Sequence, residues 1–244
     1  MNDVTYKSPK LLNFISNKDL FRCVETVISK AKLANAKSEK TYKNAIDPFS
    51  AVFDSTIHNI SIEEWINLEK IRQKQKTLQN AIGDFHENII GAMPNWEKLP
   101  VGGIIDVISK KKKIIADIKN KYNTTKGSDK KTLYDNLEAL INEKYKEYIG
   151  YYVEIIPQNG KKYNVAFYPP DNTSNTKRPI NEKIRKIDGY SFYEIVSGEK
   201  NALQKLYMVL PEVISSILDK PEIIDLKSNQ LFNEFFYQTY KDSL

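Results

Sequence analysis

The chain has 244 residues, 41% of them hydrophobic, which is enough to bury a sizeable core as one domain with insertions. A mean hydropathy of -0.52, with no apolar run near the ~20 residues that cross a bilayer, excludes a helical membrane protein. A net charge of +6 favours a polyanionic partner, while one cysteine and two histidines exclude an internal disulfide, a cysteine zinc site and a histidine-rich metal centre.

In chain order, MNDVTYKSPK lacks the apolar core of a secretory signal, so an intracellular protein is expected. Asp19 to Ala34 carries Leu20, Val24, Val27, Ile28 and Ala31 at helical spacing. Ser61-Ile62-Glu63-Glu64 is a capping box opening a long helix that runs past Trp65, Leu68, Leu78 and Phe85 to Ile90. Pro94, Gly102 and Gly103 end that pattern. Val101 to Asn123 then reads as a β-hairpin, with one strand through Gly103-Ile104-Ile105 to Asp106, a turn over Ser109 to Lys113, and a second strand with Asp117 and Lys119. Gly127-Ser128-Asp129 caps a helix over Lys130 to Tyr148, and Ile149 to Ile156 is a buried strand stopped by Pro157. Tyr163 to Tyr168 suits another strand, Pro169 to Asn181 is loop-like, and Ser191 to Val196 is ambiguous. Glu199 to Leu218 is helical with Pro211 as a kink or break, and a last helix covers Asn229 to Tyr240.

The hairpin carries the chemistry. Side chains alternate along a strand, so Asp117 and Lys119 share a face while Ile114, Ala116 and Ile118 point into the core. Folding the hairpin about its middle brings Asp106 near Ala116 and Asp117. Two converging carboxylates repel, and a hard cation removes the conflict. Mg2+ suits one or two carboxylates plus a substrate phosphate, and it activates water and stabilises phosphate charge. Lys119 then orients or helps deprotonate the water, or neutralises developing charge. This set points to a metal-dependent, DNA-cleaving enzyme. Acid-x-Lys is a weak pattern alone, recurring at Asp129-Lys131 and Asp225-Lys227 without a paired upstream acid. The alternative is a solvated acid at the end of an edge strand.

Asn120, Lys121, Asn123, Thr124 and Lys126 follow the second strand and offer the donors that phosphate oxygens accept. They read as a DNA-backbone clamp, or as a solvated loop. Thr176 to Arg185 mixes Lys177, Arg178, Asn181, Glu182 and Arg185, the residue types that read base edges in the major groove. His86 reads as a packing or hydrogen-bonding residue, since it has no serine or cysteine partner.

The string GGIIDVI…KKIIADIKNKYNTTKGSD, then YDNLE, YIGYYVEIIP and KRPINEKIRKIDGYSFYEIVSGE, resembles type II restriction endonucleases of the PD-(D/E)XK superfamily, in particular the small group that cuts GGNCC. The resemblance covers about residues 80 to 218 and departs from the superfamily name in having Gly-Ile-Ile, without proline, before Asp106. It implies an α/β fold: a PD-(D/E)XK core with a mixed central sheet flanked by helices, and an N-terminal helical region. A single endonuclease domain is expected, comprising helical residues 1–79, a catalytic and recognition core over 80–218, and a C-terminal helix in 219–244. Asp106 and Asp117 are the implied metal ligands, with the Ile118 carbonyl, and Lys119 is the implied catalytic lysine. A helical acid such as Glu87 often joins the cluster in this architecture; a surface glutamate is the level alternative. The resemblance also implies Mg2+, double-stranded DNA as substrate, a homodimer matching a palindromic site, a cognate DNA methyltransferase, and a bacterial cytoplasmic setting. Two other readings stay open: a structure-specific or repair nuclease with the same core, and a non-catalytic DNA-binding protein.

Overall fold

The computed structural model describes residues 9–39, 46–171, 176–221, 226 and 229–241. The Asp225-Lys227 pattern and Met1 to Ser8 lie outside the described residues. The chain divides into two compact units, one made of Met1–Cys23 with His86–Leu244 and the other of Val24–Phe85.

The smaller unit is helical. It holds α2 (Pro48–His58) and the greater part of α1 (Asn17–Glu39) and α3 (Ile62–Gly91). Asp47 caps α2 by accepting from Phe49 N at 3.0 Å and Ser50 N at 3.3 Å, with Pro48 at the first turn where a missing N–H costs nothing. The predicted capping box forms: Ser61 N donates to Glu64 Oε2 at 2.9 Å, and Glu64 N to Ser61 Oγ at 3.2 Å.

The larger unit is built on a six-stranded mixed sheet. Its strands are β1 (Glu97–Lys98), β2 (Val107–Ser109), β3 (Ile114–Lys121), β4 (Ile149–Ile156), β5 (Asn164–Ala166) and β8 (Ile184–Asp188), in the order β1-β2-β3-β4-β8-β5. The β3/β4 and β4/β8 pairs are parallel; the outer pairs are antiparallel. The β3-to-β4 crossover is α4 (Gly127–Glu143), as a parallel pair requires. On the α4 face, Leu133, Tyr134, Leu137 and Ile141 close over Ile115, Tyr152 and Ile184. On the opposite face lies α5 (Gly189–Ser197), with Phe192 against Tyr151 at 5.6 Å between ring centres. Then follow α6 (Ala202–Leu218) and α7 (Gln230–Thr239).

Several sequence expectations change. Gly103-Ile104-Ile105 is not strand: Ile104 is exposed, and pairing starts only at Val107, so β2 is three residues long. Ile114 to Ile118 is buried on both faces, because helices cover both sides of a parallel core and erase the alternation. Helix α4 starts at Gly127 with Lys126 as its cap residue and no side-chain cap bond, and it stops at Glu143 rather than Tyr148. The loop after Pro169 contains a two-stranded ribbon, β6 (Pro170–Asp171) with β7 (Thr176–Lys177). Ser191 to Val196 is helical, and α6 runs through Pro211 unbroken. Among the described residues no helix is long and apolar enough to cross a membrane.

Candidate active site

Asp106 sits one residue before β2, where the β2–β3 ladder (Val107 opposite Ala116) gives out. Its backbone N–H donates to the Ala116 carbonyl at 2.8 Å, and its own carbonyl accepts from Leu99 N at 2.8 Å. Its side chain continues the ladder in place of backbone, with Oδ2 accepting from Ile118 N at 2.6 Å. The N–H and C=O of one strand residue point to the same side, so the Ile118 carbonyl also faces the Asp106 side of β3. Asp117 is 7% exposed, and its Oδ2 accepts from Lys119 Nζ at 2.7 Å. Its other oxygen, Oδ1, is buried with no hydrogen-bond partner.

The electrostatics follow from burial. Desolvation pushes the Asp106 carboxyl above its usual range, and the neighbouring Asp117 charge adds to the rise. Desolvation likewise raises Asp117 against the opposing pull of Lys119. Burial alone would lower Lys119, but Asp117, Asp106 and Glu87 outweigh it and raise the group above an ordinary lysine. Lys119 is therefore held as an ammonium. A buried and a half-buried acid that both resist ionisation, an orphaned carboxylate oxygen and a carbonyl on the Asp106 side form an oxygen donor set that fits a hard divalent cation.

Glu87, in the last turns of α3, lies within electrostatic reach of Asp117 and Lys119. Its carboxylate pairs with Lys98 Nζ at 2.9 Å, and Lys98 also donates to Asn88 Oδ1 at 2.9 Å. Among the described residues no group of three or more His, Cys, Asp or Glu is close enough to hold a metal. Sequence reasoning missed Lys98, which stands in Trp96-Glu97-Lys98-Leu99 with no pattern around it. It also missed Glu154, a wholly buried acid within the apolar run of β4.

His86 shares a hydrogen bond between Nδ1 and the Tyr193 hydroxyl at 2.8 Å. Burial pushes its imidazole down to about 4 from 6.5. The unfolded chain then binds the proton more readily, so stability is full above about 6.5 and is lost as pH falls towards 4. The ring retains some exposure, and the expected loss from pH 7 to 5 is about 1 kcal/mol. Urea unfolding of the wild type and His86→Gln should show this as a stability difference that changes with pH; a constant difference would contradict it.

Asn120 and Lys121 are the last residues of β3 rather than a loop. Asn123 and Thr124 form the turn, with the Thr124 hydroxyl donating to the Lys121 carbonyl at 2.7 Å, and Lys126 is exposed at the start of α4. The 176–185 segment is pinned to α4: Arg178 pairs with Asp135 at 2.7 Å, and the Tyr134 hydroxyl donates to the Pro179 carbonyl at 2.7 Å, while Lys131 of the same helix pairs with Asp171 of β6 at 2.8 Å. Arg178 also reaches Asp171 at 3.5 Å. Arg185 is occupied by Asn164 (2.7 Å to Oδ1) and Glu182 (2.8 Å), while Asn181 Oδ1 turns back to Lys183 N at 3.0 Å. Lys177 is exposed over the Tyr168 ring.

A six-stranded mixed sheet flanked by helices, with Asp106 just ahead of one strand and Asp117-x-Lys119 on the next, is a restriction-endonuclease-like fold. The chain belongs to the Eco47II restriction endonuclease family, whose model matches residues 12–219. It is similar to "Type II restriction enzyme Eco47II" of Escherichia coli, 44% identical over 86% of this chain and 89% of the relative. It is also similar to "Type II restriction enzyme Sau96I" of Staphylococcus aureus, 33% identical over 94% of this chain and 89% of that relative. No solved structure matches the chain.

Proposed function

We propose that the protein is a Mg2+-dependent type II restriction endonuclease that hydrolyses double-stranded DNA at a short palindrome, GGNCC or a close variant of it. It works as a homodimer, one strand per subunit, in a bacterial cytoplasm where a cognate methyltransferase protects host DNA. The observation that carries the reading is the half-buried Asp106, held by the Ile118 amide, next to the buried Asp117 with Lys119 on its carboxylate. Membership of a restriction endonuclease family supports it.

In this proposal Asp106, Asp117 and the Ile118 carbonyl hold Mg2+. When bound, the ion supplies water activation and stabilises charge on the phosphate oxygens. Lys119, kept protonated by its acidic neighbours, places a positive charge where the pentacovalent phosphorus gains negative charge, and it donates to an oxygen there. Glu87 keeps Lys98 beside the carboxylates and tunes the field around them. Asn120, Lys121, Asn123, Thr124 and Lys126 hold the DNA backbone. Lys177, Arg178, Asn181, Glu182 and Arg185 read bases, with Arg178 and Arg185 exchanging their acidic partners for guanine edges on binding. The domain is single in function, with 1–79 supporting dimerisation or DNA wrapping, 80–218 holding the site, and 219–244 closing the fold.

Digestion of unmethylated plasmid with and without Mg2+, with sequencing of all ends, tests this reading. Discrete Mg2+-dependent fragments sharing a terminal sequence are expected. A smear or nicked circles would replace it with a structure-specific nuclease, and tight binding without cleavage with a binding protein. Arg185→Ala is expected to weaken cognate binding about tenfold or more while leaving non-cognate binding nearly unchanged. Equal losses on both duplexes would make Arg185 a phosphate contact.

A further inference from the structure

Glu154 is an acid beside the site to which the chemistry above gives no role. It is wholly buried in β4, opposite Lys119 of β3 and Asp188 of β8. Three side chains converge on it from three directions. Lys186 Nζ of β8 lies 3.0 Å from Oε2, Lys130 Nζ of the first turn of α4 lies 3.4 Å from Oε1, and the Tyr163 hydroxyl donates to Oε2. Each lysine also stands over an aromatic ring, Lys130 over Tyr152 at 5.7 Å and Lys186 over Tyr163 at 4.9 Å. Lys130 has one more acceptor, the Tyr122 carbonyl at 3.4 Å.

One buried carboxylate is neutralised by one cation. Here two ammonium groups share one carboxylate and a neutral phenol. Asp188, the other wholly buried acid at this end of the sheet, is taken up elsewhere: it accepts from Ser191 N at 2.9 Å and Tyr163 N at 2.8 Å and caps α5. Glu154 is shared by two ammonium groups, and both lysine side chains are 25% exposed. An ammonium that shares its carboxylate and still reaches solvent has donors left for an anion from outside.

The register says where that anion sits. Asp117 lies opposite Tyr152, and Tyr152 opposite Lys186. Strands are spaced by about 4.8 Å, so Lys186 stands about 10 Å across the sheet from Asp117, on the same face. Lys119, Glu154 and Asp188 form one row at the carboxyl ends of the parallel strands, Lys186 stands one row back with Asp117 and Tyr152, and Lys130 reaches Glu154 from α4. We propose that Lys130 and Lys186, ordered by buried Glu154, form a site for a backbone phosphate of the DNA strand adjoining the phosphate cleaved at Asp106 and Asp117. This rests on the nuclease reading and adds to it a phosphate contact apart from the metal cluster. Glu154 is a positioning residue here: it sets the two ammonium groups and keeps them from collapsing onto Asp117.

The test is equilibrium binding of a cognate duplex without divalent metal, across a salt series. Lys130→Gln and Lys186→Gln should each weaken binding several-fold and lower the slope of log K against log salt by about 0.9, while Lys186→Arg keeps the slope. An unchanged slope with a lowered melting temperature would overturn the proposal and leave the lysines as counterions of Glu154. A second arm covers variants that fold poorly. Duplexes neutralised at single phosphates by methylphosphonate are bound to the wild type, and one position should reproduce the loss and show no further loss in Lys186→Gln; a scan without such a position would overturn the site. Wild-type cleavage of plasmid with Mg2+, run alongside, separates the two failures. Cleavage with unchanged slopes sinks the phosphate site alone, whereas no cleavage sinks the nuclease reading.

Discussion

Asp117→Asn is expected to lower DNA cleavage by on the order of a thousandfold or more while raising the melting temperature of the metal-free protein. The two effects have one cause. Desolvation makes the ionised Asp117 costly, and the Lys119 ammonium at 2.7 Å offsets only part of that cost. A group whose folded pKa is raised destabilises the fold at neutral pH, because the unfolded chain ionises more easily. Asparagine keeps the shape and an oxygen for Lys119, and it removes the charge that a cation would otherwise satisfy. Cognate DNA binding without metal should survive the change. A variant that cleaves normally moves the chemistry away from Asp117. One that is inactive but less stable than wild type removes the argument that the acid is held ionised at a cost.

Gly189→Ala is the substitution with the largest expected structural effect, about 3 kcal/mol or more in urea unfolding, or failure to accumulate as folded protein. Gly189 opens α5 directly behind Asp188, and the helix crosses β4 at backbone contact. A Cβ there would lie 2.4 Å from the Ile155 carbonyl oxygen and 2.5 Å from its Cα. Neither atom can move without shifting β4, whose Glu154 and Val153 pair with β3. Moving α5 instead would pull Phe192 and Tyr193, both fully buried, out of the core. Gly103→Ala is the control: its nearest atoms would be 3.6 Å away, and it should unfold like wild type. Near-wild-type stability for Gly189→Ala would mean that α5 does not seat against β4 as described.

The hairpin was legible because two signals agreed. The apolar run Ile114 to Ile118 demanded a strand, and the polar stretch Ser109 to Lys113 demanded a reversal, which together bring Asp106 near Ala116 and Asp117; the bond from the Ile118 amide is visible only in the fold. What misled was the apolar Gly103-Ile104-Ile105, whose residues resemble a strand but have no partner to pair with. Two-residue strands such as Glu97–Lys98 and the β6/β7 ribbon carry no periodicity to read, since two residues are too few to show an alternation. Glu154 shows the limit most clearly. In sequence it is one polar letter in an apolar strand, and its meaning comes from Lys130, Tyr163 and Lys186, which only the crossover through α4 and the return in β8 assemble. Arg178 and Arg185 likewise look free in sequence, and the fold gives each an acidic partner.

The most direct test of the metal-dependent site is affinity cleavage of the protein itself. Fe2+ replaces Mg2+ on the DNA-bound enzyme, and ascorbate with peroxide generates radicals that cut the chain beside the bound ion. Breaks are expected close to Asp106 and Asp117, suppressed by excess Mg2+ and absent in Asp106→Asn. Breaks confined to other segments, or breaks near these residues that Mg2+ does not suppress, would contradict a catalytic cation held by this pair.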